Sequence, residues 1–246
     1  MKIDFRAINN RHIDSNPYLY ISNKLKLVKN QCVKNIPKTA EERTISDEEA
    51  RKLLNELNES YKNSPEYIVP YAVEFAMYTG CRVGEIAALK WEDIKEDKII
   101  ISHSEKAQRR DNGTTYSIES TKTGKIRVIP LVDAIKNLLL RVKKAETAID
   151  VSNEFVFSDK SGRISSSRIS DCIQRKSVQA GIDKKSINDC RRTVNSKLKY
   201  LGLDVESAAS MLGHTVKVNM NNYSYDMSNL SEKYEYLNQV CGQIKG

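Results

Sequence analysis

Histidine is scarce in this chain, three in 246 residues, and one of them, His214, stands nine residues ahead of Tyr223 in the stretch MLGHTVKVNMNNYSYD (211–226). A tyrosine hydroxyl, with an ordinary pKa of about 10, becomes a nucleophile only beside a group that helps to move its proton. Other polar residues have side chains suited to an anion: Arg82 with Glu85 one turn on, Lys122 beside the turn residues of TKTGKI, and the pair Arg191-Arg192 in INDCRRT. Each also has an ordinary reading. Arg82 and Glu85 could form an i,i+3 surface ion pair. Lys122 could be a solvated turn lysine, and Arg191-Arg192 a solvated face opposite Cys190, Val194, Leu198 and Leu201. His214 could sit against a helix C-terminus after the Gly213 cap, and Tyr223, one of twelve tyrosines, could be core or surface.

The elements that must position these residues can be read from the pattern. Ser46 followed three residues later by Glu49 forms a capping box, and Ala50, Leu53, Leu54 and Leu57 share one helical stripe, so the compact domain starts near Thr44. The stretch 65–94 reads as two helices parted at Thr79-Gly80. KIIISHS and TYSIESTKTGKIRVIPL are rich in β-branched residues, with TKTGKI as a tight hairpin, and predict a small antiparallel sheet. EKAQRRDNG (105–113) between them reads as a solvated loop, with contact of Arg109 and Arg110 to a nucleic-acid backbone as the lesser alternative. Helical spacing returns in DAIKNLLLRVKKAE, EFVFS (154–158) reads as a short strand, and helices ending at Gly181, Gly202 and Gly213 follow, with a last one in LSEKYEYLNQVCGQ. The fold class is mainly α with a small antiparallel β-sheet.

Composition sets the frame. Lys and Arg exceed Asp and Glu by 40 to 32, and the pI near 9.1 favours a polyanionic partner. The five cysteines are scattered without C-x-x-C spacing, which gives neither a zinc site nor a disulfide frame. No apolar run is long enough for a membrane span, and MKIDFRAINN lacks a signal-peptide core, so the expected compartment is the cytoplasm.

The order of blocks goes beyond these single readings. TGCRVGEIAALKWEDI, TKTGKIRVIPL, INDCRRT, MLGH and a tyrosine nine residues on resemble, in sequence and spacing, the catalytic domain of the tyrosine recombinases, or phage-type integrases, from about Thr44 to the C-terminus. The resemblance implies that fold for residues 44–246, with 1–43 as the remnant of an N-terminal core-binding lobe and its linker. It implies site-specific recombination of double-stranded DNA through a 3′-phosphotyrosine, with no cofactor and no metal. Arg82 and Arg191 match the family's phosphate-clamping arginines, Lys122 its general acid, His214 its second histidine and Tyr223 its nucleophile, while Glu85 matches an acidic buttress of the clamp. Asn188 stands where most members have histidine; an amide can donate a hydrogen bond but cannot exchange a proton at neutral pH. Arg192 and Tyr225 are neighbours with lesser claims.

The family also implies a homotetramer on DNA through exchange of the C-terminal helix, with a monomer as the DNA-free alternative. Packing of Leu230, Tyr234, Leu237 and Cys241 on their own domain would serve equally well. The ending of the chain is similar to integrases of phages and other mobile elements. Three rival readings are weaker: a family member with a decayed site, favoured only by Asn188 and opposed by the intact arginines, lysine, histidine and tyrosine; a type IB topoisomerase, which the block order disfavours; and a basic helical RNA- or partner-binding module without catalysis, which would make the whole motif series accidental. Cys81 and Cys190, each adjacent to a clamp arginine, suggest sensitivity to thiol reagents.

Overall fold

A computed structural model of the chain describes residues 39, 41–110, 113–120 and 126–213, all in the unit Thr39–Gly246. In chain order its elements are α1 (Asp47–Asn63), α2 (Val69–Thr79), α3 (Val83–Ala87), β1 (Lys98–Ile101), β2 (His103–Arg110), β3 (Gly113–Ser120), β4 (Arg127–Pro130), α4 (Asp133–Ala148), β5 (Ser158–Asp159), β6 (Gly162–Arg163), α5 (Ser166–Gln179), α6 (Ile187–Tyr200) and α7 (Val205–Leu212). The description is mostly helical with small antiparallel strand pairs, as the sequence predicts.

Helix α1 starts where its capping box sets it. Ser46 Oγ accepts from the Glu49 amide at 3.2 Å, and the Glu49 carboxylate accepts from the Ser46 amide at 2.9 Å. The residues just ahead are fastened to the chain around α6. The Ile45 amide donates to Thr193 Oγ1 at 2.7 Å, and the buried Lys185 Nζ donates to the Thr44 carbonyl at 2.9 Å while lying 2.8 Å from the Glu49 carboxylate.

Helix α2 carries the core. Val69, Ala72, Val73, Phe75 and Ala76 are all buried, because α2 packs against α1, α4, α5 and α6 and so has almost no solvent face. Phe75 meets Phe157 edge to face, ring centroids 5.5 Å apart. Gly80 ends α2 at φ +63°, and a Cβ there would lie 3.1 Å from Leu212 Cδ2 and 3.2 Å from Val194 Cβ. Glycine therefore both reverses the chain and lets α6 and the end of α7 close on it.

The strands pair differently from the expectation. Among the described residues β1 pairs with β4 and β2 with β3, both antiparallel, and β5 with β6 forms a third small ribbon. The strand before TKTGKI therefore does not pair with the strand after it, and most of EKAQRRDNG is strand β2 rather than a loop. Its polar composition hid it: the strand is held by its ladder with β3 and by Glu105, buried, which accepts from Arg163 and, at 2.8 Å, from the Ser166 amide at the start of α5. EFVFS is a strand only at its end: Phe155 forms an isolated bridge to Lys90, Val156 and Phe157 are core, and Ser158 opens the two-residue strand β5. Leu201, expected in the apolar stripe of α6, is 80% exposed, and α6 instead buries Arg191, Thr193, Asn195 and Ser196.

Candidate functional site

Arg82 caps the start of α3 in extended backbone, and Glu85 lies one turn on, so the i,i+3 spacing brings them together: Arg82 Nη1 donates to Glu85 Oε1 at 2.9 Å and the Arg82 amide to Oε2 at 2.7 Å. This is not a surface pair. The Glu85 side chain is 2% exposed and that of Arg82 43%, so the carboxylate is inside and the guanidinium looks out. Gly84 makes this possible, because β2 crosses directly over it. A Cβ there would meet the Glu105 carbonyl at 2.6 Å and Ser104 Oγ at 2.7 Å.

Glu85 has a second partner that sequence reasoning missed. Arg127, first residue of β4, donates from Nη1 to Oε1 at 2.8 Å and from Nη2 to Oε2 at 2.6 Å, a two-pronged pair in the interior. The inward position follows from the register: Arg127 and Ile129 stand opposite Ile101 and Ile99, and these four side chains are buried while Val128 points out. The signal was present as the shared parity of Arg127 and Ile129. The apolar residues Ile126 and Val128 on the other parity obscured it.

Arg191 comes from α6 and is fully buried, contrary to a solvated-face reading. Its Nη1 donates to the Gly80 carbonyl at 2.8 Å and its Nη2 to the Leu212 carbonyl. Together the three arginines meet the last turn of α7. Arg127 Nε donates to the Met211 carbonyl at 3.0 Å, Arg191 to that of Leu212, and Arg82 Nη2 to that of Gly213 at 3.0 Å. Carbonyls at a helix C-terminus have no partner in the helix and form the negative end of its dipole, so three consecutive ones draw three cations to one place.

The charges are strongly coupled. Burial pushes the Glu85 carboxyl up, but the bonds and charge of Arg127, with Arg82 beside it, outweigh burial and hold it down at about 2. Burial, reinforced by the like charge of Arg82, pulls the Arg191 guanidinium down to about 10, so it still carries its charge at neutral pH. Three guanidiniums against one carboxylate leave two net positive charges, with Arg82 the outward-facing member. Such a cluster can hold a dianionic or spread negative charge without a metal.

Of the other expected residues, Asn188 is exposed in the first turn of α6 and, among the described residues, makes no bond to the cluster. Arg192 turns away and pairs with Asp189 at 2.7 Å. Cys81 and Cys190 are buried beside the arginines, and burial pushes both thiols up. Lys122, His214, Tyr223 and Tyr225 lie outside the described residues, as does the C-terminal segment with Leu230, Tyr234, Leu237 and Cys241. The cluster nevertheless reaches Gly213, which directly precedes His214, and β4, which begins five residues after Lys122.

The family model described as the phage integrase family matches residues 43–228. The chain belongs to the phage integrase family. Among curated proteins, this phage integrase family member is 26% identical over 230 residues to a tyrosine recombinase XerC-like protein of Caldanaerobacter subterraneus subsp. tengcongensis. The match covers 81% of this chain and 56% of that protein, so the chain spans little more than half the length of the relative. Among solved structures, the Tn1549 transposon integrase in complex with transposon right end DNA matches with TM-score 0.65 and 16% identity, over 84% of this chain and 69% of that one. The XerA recombinase matches with TM-score 0.61 and 21% identity, over 94% and 78%. These likenesses show that the chain has the tyrosine recombinase catalytic-domain fold. Among the described residues no helix is long and apolar enough to cross a membrane.

Proposed function

We propose that this chain carries out site-specific recombination of double-stranded DNA, as the integrase of a phage or other mobile element. The observation that carries the reading is the convergence of Arg82 and Arg191, from different helices, on the carbonyls of Gly213 and Leu212 at the end of α7, just before His214. Nucleophilic attack on a phosphodiester builds negative charge on the non-bridging oxygens. A preorganised pair of guanidiniums is suited to receive it, and the reaction then needs no metal.

In this reading Tyr223 Oη attacks the phosphorus, the bond from phosphorus to the 5′-oxygen breaks, and a 3′-phosphotyrosine and a free 5′-hydroxyl result. Lys122 gives the leaving 5′-oxygen its proton, and His214 bonds the phosphate and helps to move the tyrosine proton. Asn188 can only donate a bond to the phosphate. The 5′-hydroxyl of a different strand then reverses the step, which conserves bond energy and needs no nucleotide cofactor. Strand exchange requires four active sites, so the assembly on DNA is a homotetramer joined through its C-terminal segments, formed in the cytoplasm on the nucleoid. Residues 1–43 belong to an N-terminal DNA-binding lobe and linker, and 44–246 to the catalytic domain.

The test uses a duplex carrying a candidate attachment site, nicked just downstream of the scissile phosphate so that the 5′-hydroxyl fragment is lost and covalent complex accumulates. On a denaturing gel, with chelator present, wild type should give a shifted protein–DNA band and Tyr223→Phe none. A band that survives Tyr223→Phe moves the nucleophile elsewhere. Absence of a band with wild type, even joined to a complete N-terminal lobe, defeats the reading.

A further inference from the structure

We infer that Arg127 is a positioning residue that supplies the counter-charge to Glu85 and so leaves the charge of Arg82 available to a phosphate. The inference rests on the proposed role of Arg82 as a phosphate ligand and adds a residue to that site.

Arg127 itself is not placed to bind an anion. Its Nε is used by the Met211 carbonyl, Nη1 and Nη2 by the two Glu85 oxygens, and Nη2 also lies 3.8 Å from Cys81 Sγ. The side chain is 7% exposed, against 43% for Arg82. Glu85 Oε1 is shared, accepting from Arg82 Nη1 at 2.9 Å and from Arg127 Nη1 at 2.8 Å. With Arg127 present, the triplet of Arg82, Glu85 and Arg127 is net positive. Without it, a buried carboxylate would face Arg82 alone, the pair would be neutral, and the outward-facing guanidinium would have little field left for an incoming phosphate.

The same side chain makes a mechanical link. It joins the first residue of β4, five residues past Lys122, to α3, which Arg82 caps, and to the last turn of α7, just ahead of His214. A lysine could supply the charge but not the fork, because it has one compact cationic head where the guanidinium reaches several acceptors at once. Charge and fork can therefore be separated by substitution.

The experiment compares Arg127→Gln, Arg127→Lys and the pair Glu85→Gln with Arg127→Gln, which restores the wild-type net charge. Single-turnover formation of covalent complex on the nicked duplex is measured alongside thermal denaturation. All three variants should melt below wild type. Arg127→Gln should slow cleavage by roughly 10²-fold or more, the scale of a lost preorganised charge contact, Arg127→Lys should stay within about tenfold of wild type, and the double variant should regain at least about tenfold over Arg127→Gln. Equal loss in the lysine and glutamine variants, or a double variant no faster than Arg127→Gln, overturns the inference, since rate would then follow stability and not charge. If wild type forms no covalent complex, the phosphotyrosine reading fails separately. The inference is then decided by equilibrium affinity for the same duplex at fixed salt, measured below the melting temperature of every variant: weakening in Arg127→Gln with recovery in the double variant supports it, and no recovery overturns it.

Discussion

Arg82 Nη2 donates to the carbonyl of Gly213 at 3.0 Å, across 131 residues of chain. The bond ties the outward-facing guanidinium to the residue just before His214, so the two ends of the arginine block share one anchor. Arg82 is held by Glu85 as well, but Glu85 keeps Arg127 if Arg82 is lost. Arg82→Gln should therefore lower the rate of covalent complex formation by roughly 10²–10³-fold while the melting temperature changes little. A large fall in melting temperature would show that Arg82 is mainly structural.

Gly84 separates a packing effect from a helix effect. Alanine is favoured over glycine inside a helix by about 1 kcal/mol, yet here its Cβ would meet backbone and a short side chain at 2.6 and 2.7 Å. The contact with the β2 backbone cannot be relieved by a side-chain rotation, so the steric term wins. Gly84→Ala should destabilise the domain by about 1–3 kcal/mol in urea denaturation, with a matching loss of cleavage. A more stable variant would mean that β2 does not cross α3 so closely.

Glu85 sets an acid limit. Its carboxyl is held at about 2 in the fold, below its ordinary value of 4.5. A depressed carboxylate stabilises the fold fully above the ordinary value, and the contribution is lost as pH falls through the folded one. Between pH 4.5 and 2 this group should account for on the order of 3 kcal/mol, and Glu85→Gln should be less stable at neutral pH but flatter over that window. Denaturant midpoints of the two proteins across the window check it; parallel curves would remove Glu85 from the account.

Thiol reactivity should be low in the native domain. Cys81, Cys172 and Cys190 are buried, and burial pushes all three thiols up. At neutral pH a thiol reagent should leave these three unlabelled until denaturant is added, read residue by residue by mass spectrometry. Rapid native labelling of Cys81 or Cys190 would mean that the arginine cluster opens.

Asn188 offers a gain-of-function test. It is exposed in the first turn of α6, so Asn188→His should leave stability within about 0.5 kcal/mol and, in the proposed reaction, raise the cleavage rate with a new dependence on pH near the imidazole pKa. An unchanged rate and pH profile would remove this position from the chemistry.

Much of this was legible in the chain because the signals are local. The Ser46 and Glu49 box, the break at Gly80 and the caps at Gly181, Gly202 and Gly213 are each decided within a few residues. Glu85 beside Arg82 follows from helical spacing alone. Arg127 and strand β2 were not legible for the opposite reason. Which parity of KIRVIPL turns inward is set by Ile99 and Ile101 on β1, and the burial of Glu105 is decided by Arg163 and the start of α5, more than fifty residues away. Alternation shows two faces of a strand; only the partner chooses between them.

The anchoring of residues 44–49 at α6 has a mechanical meaning. Residues 44–49 are held by two hydrogen bonds and a partly exposed ion pair, all three made to residues within six positions of Arg191. Tension applied to the chain ahead of Thr44 is thus delivered to the rod that carries a guanidinium of the cluster, with hardly any slack between the point of pull and the charge.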